Sequence, residues 1–478
     1  MSAYHVDTAY HRESLGGYGL DWSNQPSPFK EYLYRPVLDL PRPRLRQAAF
    51  FELALPGPAP ERPHPAELDA ANLAAVLLLS GGITSPAPPG LRAVASAGAL
   101  YPAELYVAAC GVAGLKDGLY HFAPQGPGLH LLWGQPLAAA AGKILGREPA
   151  ALSFFITAMF WRTLFKYRAR AYRYCLLDAG HLLANLELAL SASGLGPLST
   201  ADFPDSSAAV FLGLASEEEA ALCAVQAGAV PRQPGPAEAG LPPLDRDARP
   251  LSNRVGRDTQ VLAAHAEGKL DTPLPPRSWL APPAGPLARR LEQPARQGQP
   301  LWEVVSRRRS RRNFLRASLD KDALALLLAA ALAGPGPCRA SVLLASADDF
   351  PGGVYDYLPG AHALLPRCPE EDRRGRMGRA CLDQLWVGQA ALILVLWAKL
   401  EELAEMHGPR AYRHAMLAAG RAGQRLYLAA TALGLGCCGV GAFYDQEVAQ
   451  AVNLPEGAHP LYVLACGPVK GGARPTAG

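Results

Sequence analysis

The chain has 478 residues, 49% of them apolar and 18% charged, with a formal net charge of +4. That is material for two to four ordinary domains and excludes a globally disordered chain, while so mild a charge gives no ground for nucleic-acid binding. Nine cysteines with no CxxC pair and no histidine cluster indicate neither a zinc site nor a disulfide framework, which leaves reduced thiols in a cytosolic protein.

Residues 1–49 read as an N-terminal arm. It lacks the basic start and apolar stretch of a secretory leader, and His5 and His11 carry no spacing signal. LDAANLAAVLLLS (68–80) reads as a helix stopped by Gly81-Gly82. RAVASAGALYP (92–102) follows, where Ser96, Ala97 and Gly98 would let backbone approach a flat ligand closely; a tight turn before a strand explains the same residues. Strands are predicted at 104–111 and 117–124, around a turn. In FKYR (165–168), Lys166 beside Tyr167 suits a proton-abstracting pair, since an ammonium favours the phenolate; a plain helix surface is the alternative. Phe160 and Trp161 read as core or as walls of a substrate pocket.

A buried helix is predicted over 172–193, stopped by Gly194, with Asp178 and His181 as partnered helix residues. Residues 231–300, rich in Pro, Arg and Gly, read as a linker or as a strap over both halves. RRRSRRNF (307–314) places five guanidinium groups within six residues. Solvated, they repel one another, so a compact anion such as phosphate is their natural partner, with Ser310 adding a hydroxyl; a basic surface run is the alternative. A strand at 354–359 and a helix at 411–433 follow, and the apolar run 389–398 is too short to span a membrane. Cys437-Cys438 reads as packing.

The two halves repeat. RAYR at 170–173 recurs at 410–413, a spacing of 240. At that spacing Gly194-Leu-Gly196 meets Gly434-Leu-Gly436, and Phe203 and Asp205 meet Phe443 and Asp445. So long a period signals a duplicated domain. Short strands and helices without βαβ alternation argue for an α+β fold.

SAGALYP, KYRARAYRY, RRSRRNF and the GLG-containing helix ends resemble the FMN-dependent nitroreductase superfamily, and within it the SagB/ThcOx-type dehydrogenases, which oxidise azolines in peptides. The likeness covers roughly 50–228 and 300–470, and the double length is similar to tandem members. It implies nitroreductase-like domains at 50–230 and 301–478, each a mostly antiparallel central sheet with flanking helices, paired as an intrachain pseudodimer that needs no second copy. It also implies FMN as cofactor, a peptide or small-molecule substrate, and peptide-modifying partner proteins.

The halves have lost complementary pieces. The first shows FFELALPGPAPERPHP (50–65) where Arg-Arg-Ser should stand, and the second shows LAGPGPCRASVLLAS (332–346) in place of the small-residue loop and Met406-His407 in place of Lys166-Tyr167. The resemblance therefore implies one composite site and one FMN per chain. Arg308, Arg309, Ser310 and Arg312 would hold the phosphate, helped by Lys470 or Arg474; Ser96, Ala97 and Gly98 would meet the isoalloxazine; Gly439, Val440 and Gly441 would offer amides near N5 and O4; Lys166 and Tyr167 would be the catalytic base pair. An NAD(P)H-dependent nitro or quinone reductase, and a non-catalytic flavin- or partner-binding module, are the competing readings.

Overall fold

The computed structural model describes residues 2–17, 19–35, 37–55, 68–87, 90–230, 248–279, 285–293, 295–296, 298–334 and 336–471. The chain divides into two compact units. The first comprises residues 19–47 and 58–277, the second 1–18, 48–57 and 278–478.

The first unit contains β1 (Val37–Asp39), β2 (Ile83–Ser85), β3 (Leu91–Arg92), β4 (Ala103–Ala109), β5 (Gly118–Ala123), β6 (Gly128–Trp133), β7 (Ala150–Met159), β8 (Leu198–Thr200) and β9 (Glu219–Ala229). The second contains β10 (Arg289–Arg290), β11 (Arg339–Leu344), β12 (Gly353–Leu358), β13 (Ala363–Pro369), β14 (Leu392–Ala398), β15 (Gly436–Val440) and β16 (His459–Gly467). Strands β2 and β3 form a separate ribbon. The other strands make two seven-stranded sheets, ordered β1-β6-β5-β4-β7-β9-β8 and β10-β13-β12-β11-β14-β16-β15. These are one pattern used twice, with every neighbouring pair antiparallel. The α+β class and tandem architecture expected from the sequence are therefore the observed fold.

The central strands β7 (AALSFFITAM) and β14 (LILVLWA) are buried along their whole length. Such runs cannot alternate polar and apolar residues, because helices cover both faces. In the first unit Tyr106, Ala108, Phe155 and Ala224 pack against helices Ala138–Leu145 and Asp205–Leu212. The long helix Ala171–Ala192 also packs on β7 and β9 and is buried except at Glu187 and Ser191. Its repeat is Ala411–Ala432. Both need a left-handed residue to turn back into the sheet, which Gly194 (φ 76°) and Gly434 (φ 70°) supply without steric cost. The expected helix at 68–80 is Ala70–Gly81, begun by Asp69, whose side chain accepts from Asn72 N at 2.8 Å.

The repeat extends further than its sequence suggests. In the second unit, helix Ser2–Asp7 sets His5 3.2 Å from the Tyr412 hydroxyl and 3.7 Å from Asp445. In the first, helix Thr259–Glu267 sets His265 3.2 Å from the Tyr172 hydroxyl and 3.9 Å from Asp205. Tyr172 and Asp205 lie 240 residues before Tyr412 and Asp445. The segment preceding each repeat thus completes the unit built on the other, and residues 259–267 are part of a folded unit instead of bare linker.

The first unit also buries charge. Arg162 donates to the Glu104 carboxylate at 2.5 Å and to the carbonyls of Ser27 and Tyr101, each at 2.8 Å, and His121 reaches Glu104 at 2.8 Å. Burial opposes the Glu104 charge, but Arg162 and His121 outweigh it and hold the carboxyl far below its ordinary range. Glu104→Ala would leave the fully buried Arg162 cation uncompensated, with an expected loss of about 3–5 kcal/mol in stability, measured by denaturant unfolding. A loss below about 1 kcal/mol would show that the pair is solvated. Among the described residues no helix is long and apolar enough to cross a membrane.

Candidate functional site

In the second unit, helix Leu301–Arg307 ends at Arg308, whose side chain turns inward and is 4% exposed, its guanidinium carbon 5.5 Å from the Tyr427 ring centroid. The extended segment after it lies beside β15. Ser310 bridges to Cys437, and Arg311 N donates to Cys437 O at 3.0 Å. The Tyr427 hydroxyl, at the centre, accepts from Gly439 N at 2.7 Å and meets Ser310 Oγ at 3.0 Å. Burial pushes this phenol far above its ordinary value, so it stays protonated. Either hydroxyl can donate in the contact between Tyr427 and Ser310, and Gly439 N occupies only one of the phenol's acceptor positions. Arg312 is exposed, 5.9 Å from the Trp386 ring, and Lys470 is fastened through its backbone to Asn313 at 2.9 and 3.1 Å.

Arg308, Ser310, Arg312, Gly439 and Lys470 are thus brought into one neighbourhood. Arg309 bends back instead, donating to the carbonyls of Ser306 and Arg308 at 3.0 and 2.6 Å. Gly439 admits no side chain, because a Cβ there would stand 1.9 Å from the Tyr462 hydroxyl. Val440 is buried at the end of β15 and Gly441 follows it. Arg474 lies outside the described residues. Burial raises the Cys437 and Cys438 thiols, which keeps them neutral.

At the corresponding place in the first unit the chemistry is opposite. Glu187 stands 240 residues before Tyr427 and Ser199 before Gly439. Ser199 Oγ donates to Glu187 at 2.6 Å, and Arg147 is spent on the carbonyls of Leu198 and Ser199 at 2.6 and 3.0 Å. A carboxylate at this position repels an anion.

The first unit's distinctive feature is the loop before β4. Ser96 Oγ donates to Asp178, Ala97 N donates to the same carboxylate at 3.2 Å, and Tyr101 N donates to Ser96 Oγ at 2.8 Å. The backbone is folded tightly enough to place Gly98, Ala99 and Tyr101 at φ 64°, 54° and 47°. Behind it stands the short helix Phe160–Tyr167. A Cβ on Gly98 would lie 3.0 Å from the Tyr167 hydroxyl and 3.2 Å from Lys166 Nζ. Both side chains are half-buried, with the Lys166 ammonium 5.6 Å from the Tyr167 ring, which packs on Tyr174 at 4.3 Å. The structure therefore brings Gly98, Lys166 and Tyr167 together. Phe160 is core, packed on Tyr172 and His265. Trp161 walls a separate cavity of about 370 Å³ with Lys30, Tyr32, Glu219 and Leu251.

Two residues matter more here than their sequence context suggested. Asp178 reads in sequence as an ordinary helix residue; the signal was its replacement by Ala418 in the half that lacks the loop. Tyr427 gave no signal alone, but its exchange for Glu187 at the 240-residue spacing did.

Residues 305–468 match the Nitroreductase family. A candidate nitroreductase from Anabaena variabilis matches the tandem as a whole, at 25% identity with a TM-score of 0.78, over 98% of this chain and 99% of that one. A candidate nitroreductase of Methanocaldococcus jannaschii is 34% identical over 115 residues, 24% of this chain and 57% of that protein. The trifolitoxin-processing protein TfxB of Rhizobium leguminosarum bv. trifolii is 34% identical over 127 residues, 24% of this chain and 33% of TfxB. The chain thus spans little more than half of one curated relative and a third of the other. The Arg308 guanidinium and the Ser310 and Tyr427 hydroxyls together suit an anion.

Proposed function

We propose that the chain is an FMN-dependent oxidoreductase of the SagB/ThcOx type, oxidising azoline-like rings in a peptide or small molecule. When bound, FMN supplies the hydride acceptor, its N5. One observation carries the reading: the Gly98 backbone packs directly on the Lys166 ammonium and the Tyr167 hydroxyl. Aromatising an azoline removes a proton along with the hydride, so a base must stand beside the acceptor. Tyr167 takes that proton at its phenolic oxygen, and Lys166 stabilises the negative charge there. Ser96 and Ala97 border the ring with Gly98, while Gly439, Val440 and Gly441 offer backbone amides to its polar edge. Arg308, Ser310 and Arg312 hold the phosphate, with Lys470 or Arg474 as the last cation, while Arg309 stays on the carbonyls of its own segment. The processing role in the name of TfxB supports a peptide substrate and peptide-modifying partners.

The division of motifs between the halves, and Glu187 where the second unit has Tyr427, argue for a single FMN per chain. The absorption spectrum of the purified protein, read with its bound phosphorus, tests this. One FMN per chain is expected; two would remove the division of labour, and none after reconstitution would remove the flavin reading. The likeness to proteins named as nitroreductases favours a second reading, reduction of nitro or quinone compounds by NAD(P)H. It predicts rapid bleaching of the bound flavin on adding NADH or NADPH. A colourless protein that still captured a peptide-modifying partner would instead fit a non-catalytic module.

A further inference from the structure

The loop Ser96–Tyr101 is costly to fold. Ala99 and Tyr101 occupy left-handed backbone that residues with a Cβ adopt only at a cost, and Gly98 between Ser96 and Ala99 is left-handed as well. Among the described residues this loop contains two of the ten non-glycine positions with positive φ, two residues apart, so something outside it must hold the shape. The Asp178 side chain is buried in the long helix facing the loop, and it receives two of the loop's hydrogen bonds, from Ser96 Oγ and from Ala97 N at 3.2 Å. Ser96 Oγ passes the constraint on by accepting from Tyr101 N at 2.8 Å. The two ends of the turn are thereby tied to one carboxylate.

Among the described residues no cation pairs with that carboxylate. Arg92 and Glu104 line the same small hollow, but Arg92 donates to the Pro28 carbonyl at 2.5 Å and Glu104 is engaged by Arg162 and His121. Burial pushes the Asp178 carboxyl up to about 7, against the pull of its two donors. A carboxylate kept in so unfavourable a place needs a reason beyond helix stability, where alanine would serve better. The duplicated half supplies the comparison. There the loop is replaced by LAGPGPCRASVLLAS, and the residue matching Asp178 is Ala418. Loop and carboxylate have been lost together.

We infer that Asp178 is a positioning residue, whose carboxylate clamps the Ser96–Tyr101 turn so that Gly98 is held against Lys166 and Tyr167. The clamp operates without any ligand. Its consequence for function rests on the flavin reading above, because it is this turn that would border the ring and set its distance from the base pair.

The test separates these two layers. Hydrogen exchange is measured on the full-length ligand-free protein and its variants, followed by titration with FMN. Asp178→Ala is expected to speed exchange of the Ala97 and Tyr101 amides by about tenfold or more, with the central strand β7 unchanged, since the lost hydrogen bonds go to a charged group. Asp178→Asn keeps an acceptor of the same shape and should restore most of the protection, which a purely steric role for the side chain would also allow. Asp178→Leu separates the two, because it keeps the bulk without an acceptor and should still free the Ala97 amide, while Ser96→Ala should free the Tyr101 amide. FMN added to Asp178→Ala should bind more weakly than to wild type, with a displaced visible band. Unchanged exchange at Ala97 and Tyr101 in a folded Asp178→Ala protein would overturn the clamp, and if that variant fails to fold, unchanged exchange in Ser96→Ala does the same. Loosened amides in Asp178→Ala, together with a wild-type protein that takes up no FMN, would leave the clamp standing and overturn the flavin reading.

Discussion

Arg308→Ala is expected to weaken FMN binding by roughly 10–100-fold while leaving riboflavin binding within about twofold, because a charge-assisted hydrogen bond to a phosphate contributes about 1.5–3 kcal/mol and riboflavin has no phosphate to lose. The comparison of the two ligands matters more than either affinity. Arg308 is 4% exposed and lies against the Tyr427 ring, so its removal disturbs packing as well as charge. A packing defect weakens both flavins alike; loss of a phosphate grip weakens only FMN. Arg308→Lys should recover part of the preference, since an ammonium keeps the charge but not the planar fork. Arg290→Ala, on the exposed edge strand β10, is the control and should change neither affinity. If Arg308→Ala cannot be folded, the exposed Arg312 permits the same comparison with a smaller effect. An unchanged ratio of FMN to riboflavin affinity in folded Arg308→Ala would remove the anion site from the RRSRR segment.

Much of this arrangement can be read from the sequence, and what cannot has a physical reason. The helix at 172–193 was legible because burial on all sides selects an unbroken apolar composition and Gly194 ends it; the observed Ala171–Ala192 differs by a residue at each end. The RRRSRR segment stands out in the sequence because five guanidinium groups within six residues repel one another, and the structure sets two of its members, Arg308 and Ser310, against Tyr427. By contrast, helices Ser2–Asp7 and Thr259–Glu267 were not seen as equivalents. Each is too short to carry a periodicity, and what equates them is the pair of contacts made by His5 and His265 with residues far along the chain. Tyr427 was hidden for the same reason: a tyrosine in an apolar helix looks like core until Gly439 and Ser310 are found on its hydroxyl. Asp178 shows the limit most sharply, since nothing local to the helix announces that its partners are Ser96 and Ala97, some eighty residues earlier. Edge strands such as β10, two arginines long, have no composition of their own and exist only through pairing with Leu364 and Ala363.

Lys166→Ala and Tyr167→Phe should each leave FMN content near that of wild type and slow azoline oxidation by about 10²–10⁴-fold, the range for losing a positioned general base. The probe is a synthetic peptide bearing one thiazoline, mixed with the protein without oxygen, and the readout is bleaching of the bound flavin in a single turnover. That design isolates proton and hydride removal from reoxidation and product release. The two variants should differ in kind. Tyr167→Phe removes the proton acceptor and keeps the ring that packs on Tyr174 at 4.3 Å, so its defect should persist at high pH. Lys166→Ala removes only the neighbouring charge; the phenolate can still be populated by raising the pH, and activity should recover there in part. Neither substitution should slow reduction by NADH if the NAD(P)H reading holds, because that chemistry delivers a hydride to the flavin and needs no base beside Gly98. Normal azoline oxidation in both variants would therefore take the catalytic role away from this pair, even though the geometry of Gly98 against Lys166 and Tyr167 remained.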